Sequence, residues 1–389
     1  MSAFEKSKLL FRNITTVCFL LLSSITVWSN PMPASGISEL NDKAQSFLEL
    51  GDYVNAYKNA FSAREEAIYQ NNQEEIARAV RTIGNSFYYL ADFQASLRYY
   101  EQALMIYQSL NDIQMQAQVI SNISSIYSEL LDFDTAIEMD MKALSLVKGT
   151  DFEDDFIWLK VNLAYDLGRN QEFDNAISQY KSLIRPLEEE GNKNYLNYLY
   201  RQLSEIYRRS GDTENALQMI DKAIALAQEN QSDELLYGSY LEKAEIYLAQ
   251  NLPDQAIQHT NEALDYFQNV QRRSLIIQAY SLLHRANEAV ENFKAAAFAL
   301  KNQKEIEDEI ESIKSRQYSK VLAIEKQVKE QKDALKSIQN QKDQLIANYS
   351  ETVSLLITLV VLFAFFAAFF LITTLIYYRK FDSTKKAAT

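Results

Sequence analysis

Cysteine occurs once, at Cys18, glycine eight times and proline four times in 389 residues. So few turn-formers cannot serve the many reversals of a strand-rich fold, and the chain reads as all-α. The lone cysteine lies inside an N-terminal apolar stretch, which leaves the body without an internal disulfide or a thiolate metal site. It sits near the beginning of that stretch rather than at a cleavage point, so lipid attachment is not expected. The two histidines, His259 and His284, are too far apart to form a ligand cluster, and no metal or cofactor is expected. Glycine-rich phosphate loops, a Gly-x-Ser-x-Gly elbow and a histidine near a Ser or Cys nucleophile are lacking, so no catalytic residue is assigned and no enzymatic activity is expected. The carboxylates of Glu188-Glu189-Glu190 and of Asp151 to Asp155 fall in expected turns or exposed faces. Positive charge is also scarce, with 39 Lys and Arg against 52 Asp and Glu. The formal charge of −13 includes +2 on residues 1–29 and +3 on residues 377–389, which leaves −18 on the middle. Such a body repels phosphate backbones, and no nucleic-acid partner is expected.

Long apolar runs are confined to the two ends. Lys6, Lys8 and Arg12 precede an apolar run from Ile14 to Val27, followed by Ser29 and the breaker Asn30-Pro31-Met32-Pro33, which is the pattern of a secretory signal peptide over residues 1–29. Val353 to Ile376 holds 24 residues without a charge. As a helix it would reach roughly 36 Å, enough for a hydrocarbon core of about 30 Å. Tyr377 and Tyr378 follow, then Arg379, Lys380, Lys385 and Lys386, whereas the ten residues before Val353 carry only Asp343 and Glu351. The positive side is C-terminal, which predicts a single-pass inner-membrane protein with a short basic cytoplasmic tail at 377–389 and an extracytoplasmic, periplasmic body.

Between the ends one signature recurs every 40 residues. An acidic-aromatic turn is followed by a small residue and, seven further on, by a second: Gly51-Asp52-Tyr53 with Ala56 and Ala63, Asp92-Phe93 with Ser96 and Ala103, Asp132-Phe133 with Ala136 and Ala143. The series continues at Phe173 with Ala176, Gly211-Asp212 with Ala216 and Ala223, Ala256 with Ala263, and more weakly Phe293 with Ala296. Twelve residues upstream runs a second small series, Ala44, Gly84, Ser124, Ala164, Ser204 and Ala244, with Phe47, Phe87, Tyr127, Leu167, Tyr207 and Tyr247 three residues after it. Small residues at matched places in successive helices let their axes approach, while the large residue fills the groove between hairpins. In the seventh unit His284 takes the small place, as a packed residue, and Asn287 the large one; His259 is expected to face solvent on a second helix.

These residues resemble the tetratricopeptide repeat, with a small residue and a tyrosine in the first helix, a Gly-Asp-Tyr-like turn and two alanines in the second. The resemblance implies a solenoid of seven helix hairpins over residues 37–300, with a concave surface lined by first helices on which a protein or peptide ligand lies. The family's usual period is 34, so the helices or turns here are longer. The first-helix residues that the core does not use are Arg78, Arg81, Asn85 and Tyr88 in the second unit and Asn122 and Ser125 in the third. They continue as Trp158, Asn162 and Tyr165 in the fourth unit and Tyr198, Arg201, Glu205 and Arg208 in the fifth. The resemblance implies that Arg81, Asn85, Asn122 and Asn162 clamp an extended peptide. Asparagines bonding between helices and arginines paired with nearby acids are an equally open reading.

After Ala299 the composition turns to Lys, Glu and Gln with isolated aliphatics. Val321, Ile324, Val328, Leu335, Ile338 and Leu345 keep a heptad spacing, and Ile306, Ile310 and Ile313 an offset one, so residues 301–351 are expected to be a coiled-coil stalk of a homodimer, on the order of 75 Å long. The order of parts resembles the input half of bacterial membrane receptors without an output domain, and implies sensing or a co-receptor role. An envelope scaffold, and a tail-anchored adaptor facing the cytosol, remain open beside it.

Overall fold

A computed structural model describes residues 34–150 and 153–386. The expected signal peptide, Cys18 included, lies outside the described residues, as do the side chains of the basic tail. Among the described residues the chain is fourteen helices and no strand. Six hairpins follow one another: α1 (Ala34–Glu49) with α2 (Tyr53–Tyr69), α3 (Gln73–Tyr89) with α4 (Phe93–Ser109), α5 (Ile113–Glu129) with α6 (Phe133–Val147), α7 (Glu153–Arg169) with α8 (Phe173–Glu190), α9 (Lys193–Arg209) with α10 (Thr213–Glu229), and α11 (Asp233–Ala249) with α12 (Pro253–Asn269). A seventh pairs α13 (Arg273–Ala289) with the beginning of α14 (Phe293–Lys386).

The long period has a simple origin. Helices α2 to α5 and α9 to α13 each have 17 residues, and three-residue turns separate them, so the elementary step is 20 residues and a hairpin takes 40. Within a turn one residue serves both neighbours. The Asp92 N–H donates to Phe87 O at 3.0 Å and closes α3, while its carboxylate accepts from Ala95 N at 2.9 Å and caps α4. Asp52, Asn72, Asp112, Asp132, Asn192 and Asp212 do the same. The residue before each of these must take a left-handed backbone, and glycine does so only at some turns: Asn71, Ala91, Asn111, Leu131, Gln171, Gln231, Asn251, Gln271 and Glu291 all have positive φ.

Packing follows the 40-residue register. Ala44, Ser124, Ala164, Ser204 and Ala244 are buried against Ala56, Ala136, Ala176, Ala216 and Ala256. At Gly84 an added Cβ would lie 2.7 Å from the Tyr100 ring, so that contact requires glycine. The serines in this series add a bond across the hairpin: Ser96 Oγ donates to Gly84 O, Ser124 Oγ to Ala136 O and Ser204 Oγ to Ala216 O, each at 2.9 Å. His284 stands in for such a serine, with Nδ1 3.2 Å from Ala296 O, which is why the seventh hairpin tolerates it. His259 is not the solvent-facing residue expected. It stacks on Tyr247 at 5.6 Å and tilts against Tyr240 at 5.0 Å, because long aromatic side chains on α11 reach over it.

The chain divides into two compact units after Lys320. In the first, α14 leaves the last hairpin with Ile306 packed on its core and then meets the first two. Gln317 Oε1 accepts from Tyr53 N at 2.9 Å, its Nε2 donates to Gly51 O at 3.0 Å, and Tyr318 Oη donates to Asp92 Oδ2 at 2.8 Å. In the second unit α14 continues with Leu335, Ile338 and Leu345 exposed. Among the described residues it alone is long and apolar enough to cross a membrane, and its apolar stretch, with Phe363 80% exposed, has no protein cover.

Two outcomes follow from the turns and the closure. Ala91→Gly should stabilise the fold by about 0.5–1 kcal/mol, since it relieves a left-handed alanine at modest entropic cost; chemical denaturation of the solubilised chain measures this, and destabilisation would refute the account. Gln317→Ala should accelerate exchange of the Tyr53 amide about tenfold through the loss of one hydrogen bond. Unchanged exchange at Tyr53 would show that the glutamine does not hold that turn.

Candidate functional site

The first helices α3, α5, α7 and α9 carry the polar residues expected to face a ligand, and most of them reach toward a neighbouring hairpin. Arg78 pairs with Asp42 and donates to Ser38 Oγ at 3.2 Å. Arg81 donates to Gln118 at 3.3 Å, Asn122 to Asn85 at 3.5 Å, and Asn162 to Ser121 Oγ at 3.0 Å. Asn85 also accepts from Tyr100 Oη at 2.7 Å. Arg201 lies 3.9 Å from Glu242 and rests over Gly238, where a Cβ would come within 3.2 Å of its guanidinium. Burial keeps Glu242 above the usual carboxylate range, with Arg201 opposing the shift. These bonds match the inter-helix reading of the asparagines and arginines. Trp158 is exposed, and Arg208 keeps a buried Nε without a hydrogen-bond partner.

Five of the expected residues, Ser125 among them, come together. Tyr88, Asn162, Tyr165 and Tyr198 line one cleft of about 360 Å³ that spans α3, α5, α7 and α9. It opens where Ser125 and Ser128 of α5 take places that larger side chains hold in most other hairpins, beside Ser124 of the small series. Tyr88 Oη donates to Glu129 at 3.4 Å, and burial, then the Glu129 charge, push the phenol up. The Arg169 guanidinium lies 5.6 Å over Phe133 and 6.0 Å over Tyr165, so the rim already presents aromatic faces to a cation.

Asp166 at the cleft, and Asp140 of α6 beside it, are acids that the repeat motif does not single out. Asp166 accepts from Ser128 Oγ and, at 3.4 Å, from Ser124 Oγ; Asp140 is fully buried and neither of its oxygens has a hydrogen-bond partner. Burial first, and the neighbouring Asp166 charge after it, raise the Asp140 carboxyl far above the usual range; burial also raises Asp166, against its serine hydrogen bonds. A signal was present in the register. The place of Asp140 holds Ala60, Tyr100, Tyr180, Ile220 and Thr260 in other hairpins, and that of Asp166 holds Ser86, Ile126, Ile206 and Ile246.

A carboxyl whose folded pKa is raised binds its proton more tightly in the folded state. Its stabilising contribution is present in acid and is lost as pH rises through the folded value, by roughly 1.4 kcal/mol for each tenfold difference in proton affinity between the folded and unfolded chain. The melting temperature should therefore fall between pH 5 and pH 8, and Asp140→Asn should flatten that slope and melt higher at pH 8. An equal slope in the variant would contradict the assignment.

The model of the MalT-like TPR region family matches residues 124–349. No curated protein matches the sequence. Among solved structures, the apo form of RapI is 13% identical over 71% of this chain and 99% of that one, with a TM-score of 0.59. Aspartyl phosphate phosphatase F from Bacillus subtilis is 18% identical over 68% of each chain, with a TM-score of 0.56. A Rap protein complexed with competence and sporulation factor is 19% identical over 75% of this chain and 80% of that one, again with a TM-score of 0.56. These likenesses show the fold, a tetratricopeptide-like solenoid. With more than half of its length matched, the chain belongs to the MalT-like TPR region family.

Proposed function

We propose that this chain is a membrane-anchored, extracytoplasmic binding module that takes an extended peptide or protein segment on the first-helix side of its solenoid, in a sensory or co-receptor role. The observation that carries the reading is the cleft between the third and fourth hairpins, where exposed aromatic rings stand beside amide, hydroxyl and carboxylate groups. Pockets of that size take one or two side chains with fixed polar contacts. The solved structure with competence and sporulation factor supports it. So does NprR in complex with its cognate peptide NprX, 14% identical over 81% of this chain and 94% of that one, with a TM-score of 0.52.

The uncovered apolar stretch of α14 would be the anchor, and the basic residues after it favour a cytoplasmic C-terminus. Helix α14 is one element from the last hairpin to that stretch, so a change at the solenoid has a continuous path along it. Exposed Leu335, Ile338 and Leu345 would pair two copies in parallel.

The test is capture from a synthetic random octapeptide library by the full-length chain in lipid nanodiscs. Tyr165→Ala combined with Tyr198→Ala should cut capture about tenfold or more, as expected for two aromatic anchors, with helix content unchanged; undiminished capture would place the ligand elsewhere. A C-terminal tag shielded from protease added outside the cytoplasmic membrane, with the hairpins digested, is the expected topology, and the reverse pattern would overturn it.

A further inference from the structure

The cleft and the core behind it hold more acid than the fold needs. Asp140 and Asp166 occupy places that other hairpins fill with Tyr100, Tyr180 or Ile220 and with Ile126, Ile206 or Ile246, and those residues bury without electrostatic cost. Replacing buried charges by packed apolar side chains is often neutral or stabilising, so two buried acids facing each other are not explained by stability. Neither has an ion-pair partner among the described residues. Ser124 Oγ donates to Ala136 O at 2.9 Å and reaches Asp166 Oδ2 at 3.4 Å, and neither oxygen of Asp140 accepts a hydrogen bond. Asp166, 3% exposed, is the member of the pair that lines the cleft, and Glu129 supplies a second carboxylate there.

The surroundings select the sign of what could join them. Tyr88, Tyr165, Tyr198 and Phe133 contribute aromatic rings, and Arg169 shows that a guanidinium settles over two of them. Its charge is felt at Asp166, yet the two form no ion pair, and it meets two carboxylates with one positive charge. Aromatic faces above a carboxylate recognise ammonium and guanidinium groups through ring quadrupole and charge-assisted hydrogen bonds together.

We infer that this cleft is the subsite for a cationic group of the bound peptide, a lysine or arginine side chain directed at Asp166, with Asp140 buried behind it. The inference rests on the groove reading above and deepens it. A cation directed at Asp166 favours the ionised carboxylate that burial opposes, so the buried pair is better satisfied with the cation in place than without it.

The experiment uses the full-length chain in nanodiscs and an octapeptide library with acetylated N-termini and amidated C-termini, whose captured members are sequenced. Lysine or arginine should be enriched at one position. Asp166→Asn should still capture peptides but lose that enrichment about tenfold, the scale of one charge-assisted bond, and Asp166→Glu should restore part of it. The Asn variant should melt no lower than the parent, which excludes misfolding as the cause. Capture without a cationic preference would sink the subsite and leave the groove standing. No capture from this library, with capture from one bearing free N-termini, would assign the acids to a peptide amino group and overturn the side-chain inference. No capture from either would overturn both readings. Enrichment unchanged in Asp166→Asn would move the cation elsewhere, and enrichment abolished by EDTA would reassign the acids to a metal ion; either result overturns the proposal.

Discussion

Much of this solenoid hangs on a turn residue that belongs to two helices at once, as Asp92 does, while the turns before α8, α11, α12 and α13 keep only the backbone half of that role. Its backbone N–H closes the helix behind it and its side chain opens the helix ahead, so the connection cannot lengthen without losing one of the two. With the turn fixed at three residues and the helix at 17, successive hairpins fall into register and matched small residues meet. The left-handed residue before the cap is the strained element, and the chain accepts it at alanine, leucine and glutamate because the bonds on both sides over-determine it.

The inner side of the stack is mostly occupied with holding itself together. Arg78, Arg81, Asn122, Asn162 and Arg285 each bond to a neighbouring hairpin, a ladder that sets the angle between units and leaves few free polar groups. Past Asn122 and Asn162, toward the C-terminal ends of α5 and α7, the ladder gives way to serines and a buried acid. A binding surface here is thus a local interruption of a structural pattern rather than a continuous lining.

The pattern itself was legible from the residues. The small series at Ala44 to Ala244 and Ala56 to Ala296 placed the hairpins and their packed faces, since a period that one column of residues keeps over seven units has few other causes. Tyr88, Asn162, Tyr165 and Tyr198 were also within reach, because they lie on the first helices outside the packing columns. Asp140 and Asp166 left a fainter trace, each the one acid in a column that otherwise reads as core, and their approach depends on the angle between α6 and α7. Nor could the spacing of Ile306, Ile310 and Ile313 tell a seam for a second chain from a seam for the solenoid itself; in the structure Ile306 packs on the last hairpins. The contact of Gln317 with Gly51 bridges 266 positions, and no local pattern encodes it.

That contact alters the statistics of the array. In an open stack of repeats the outermost unit has one neighbour, and unravelling starts there because only one interface has to break. Gln317 and Tyr318 give the first two hairpins a further partner, drawn from the helix that completes the seventh. Fraying of the first hairpin must therefore break its contact with α14 as well as its interface with the second. Three hydrogen bonds thus tie residues far apart in the row to one another without any further repeat.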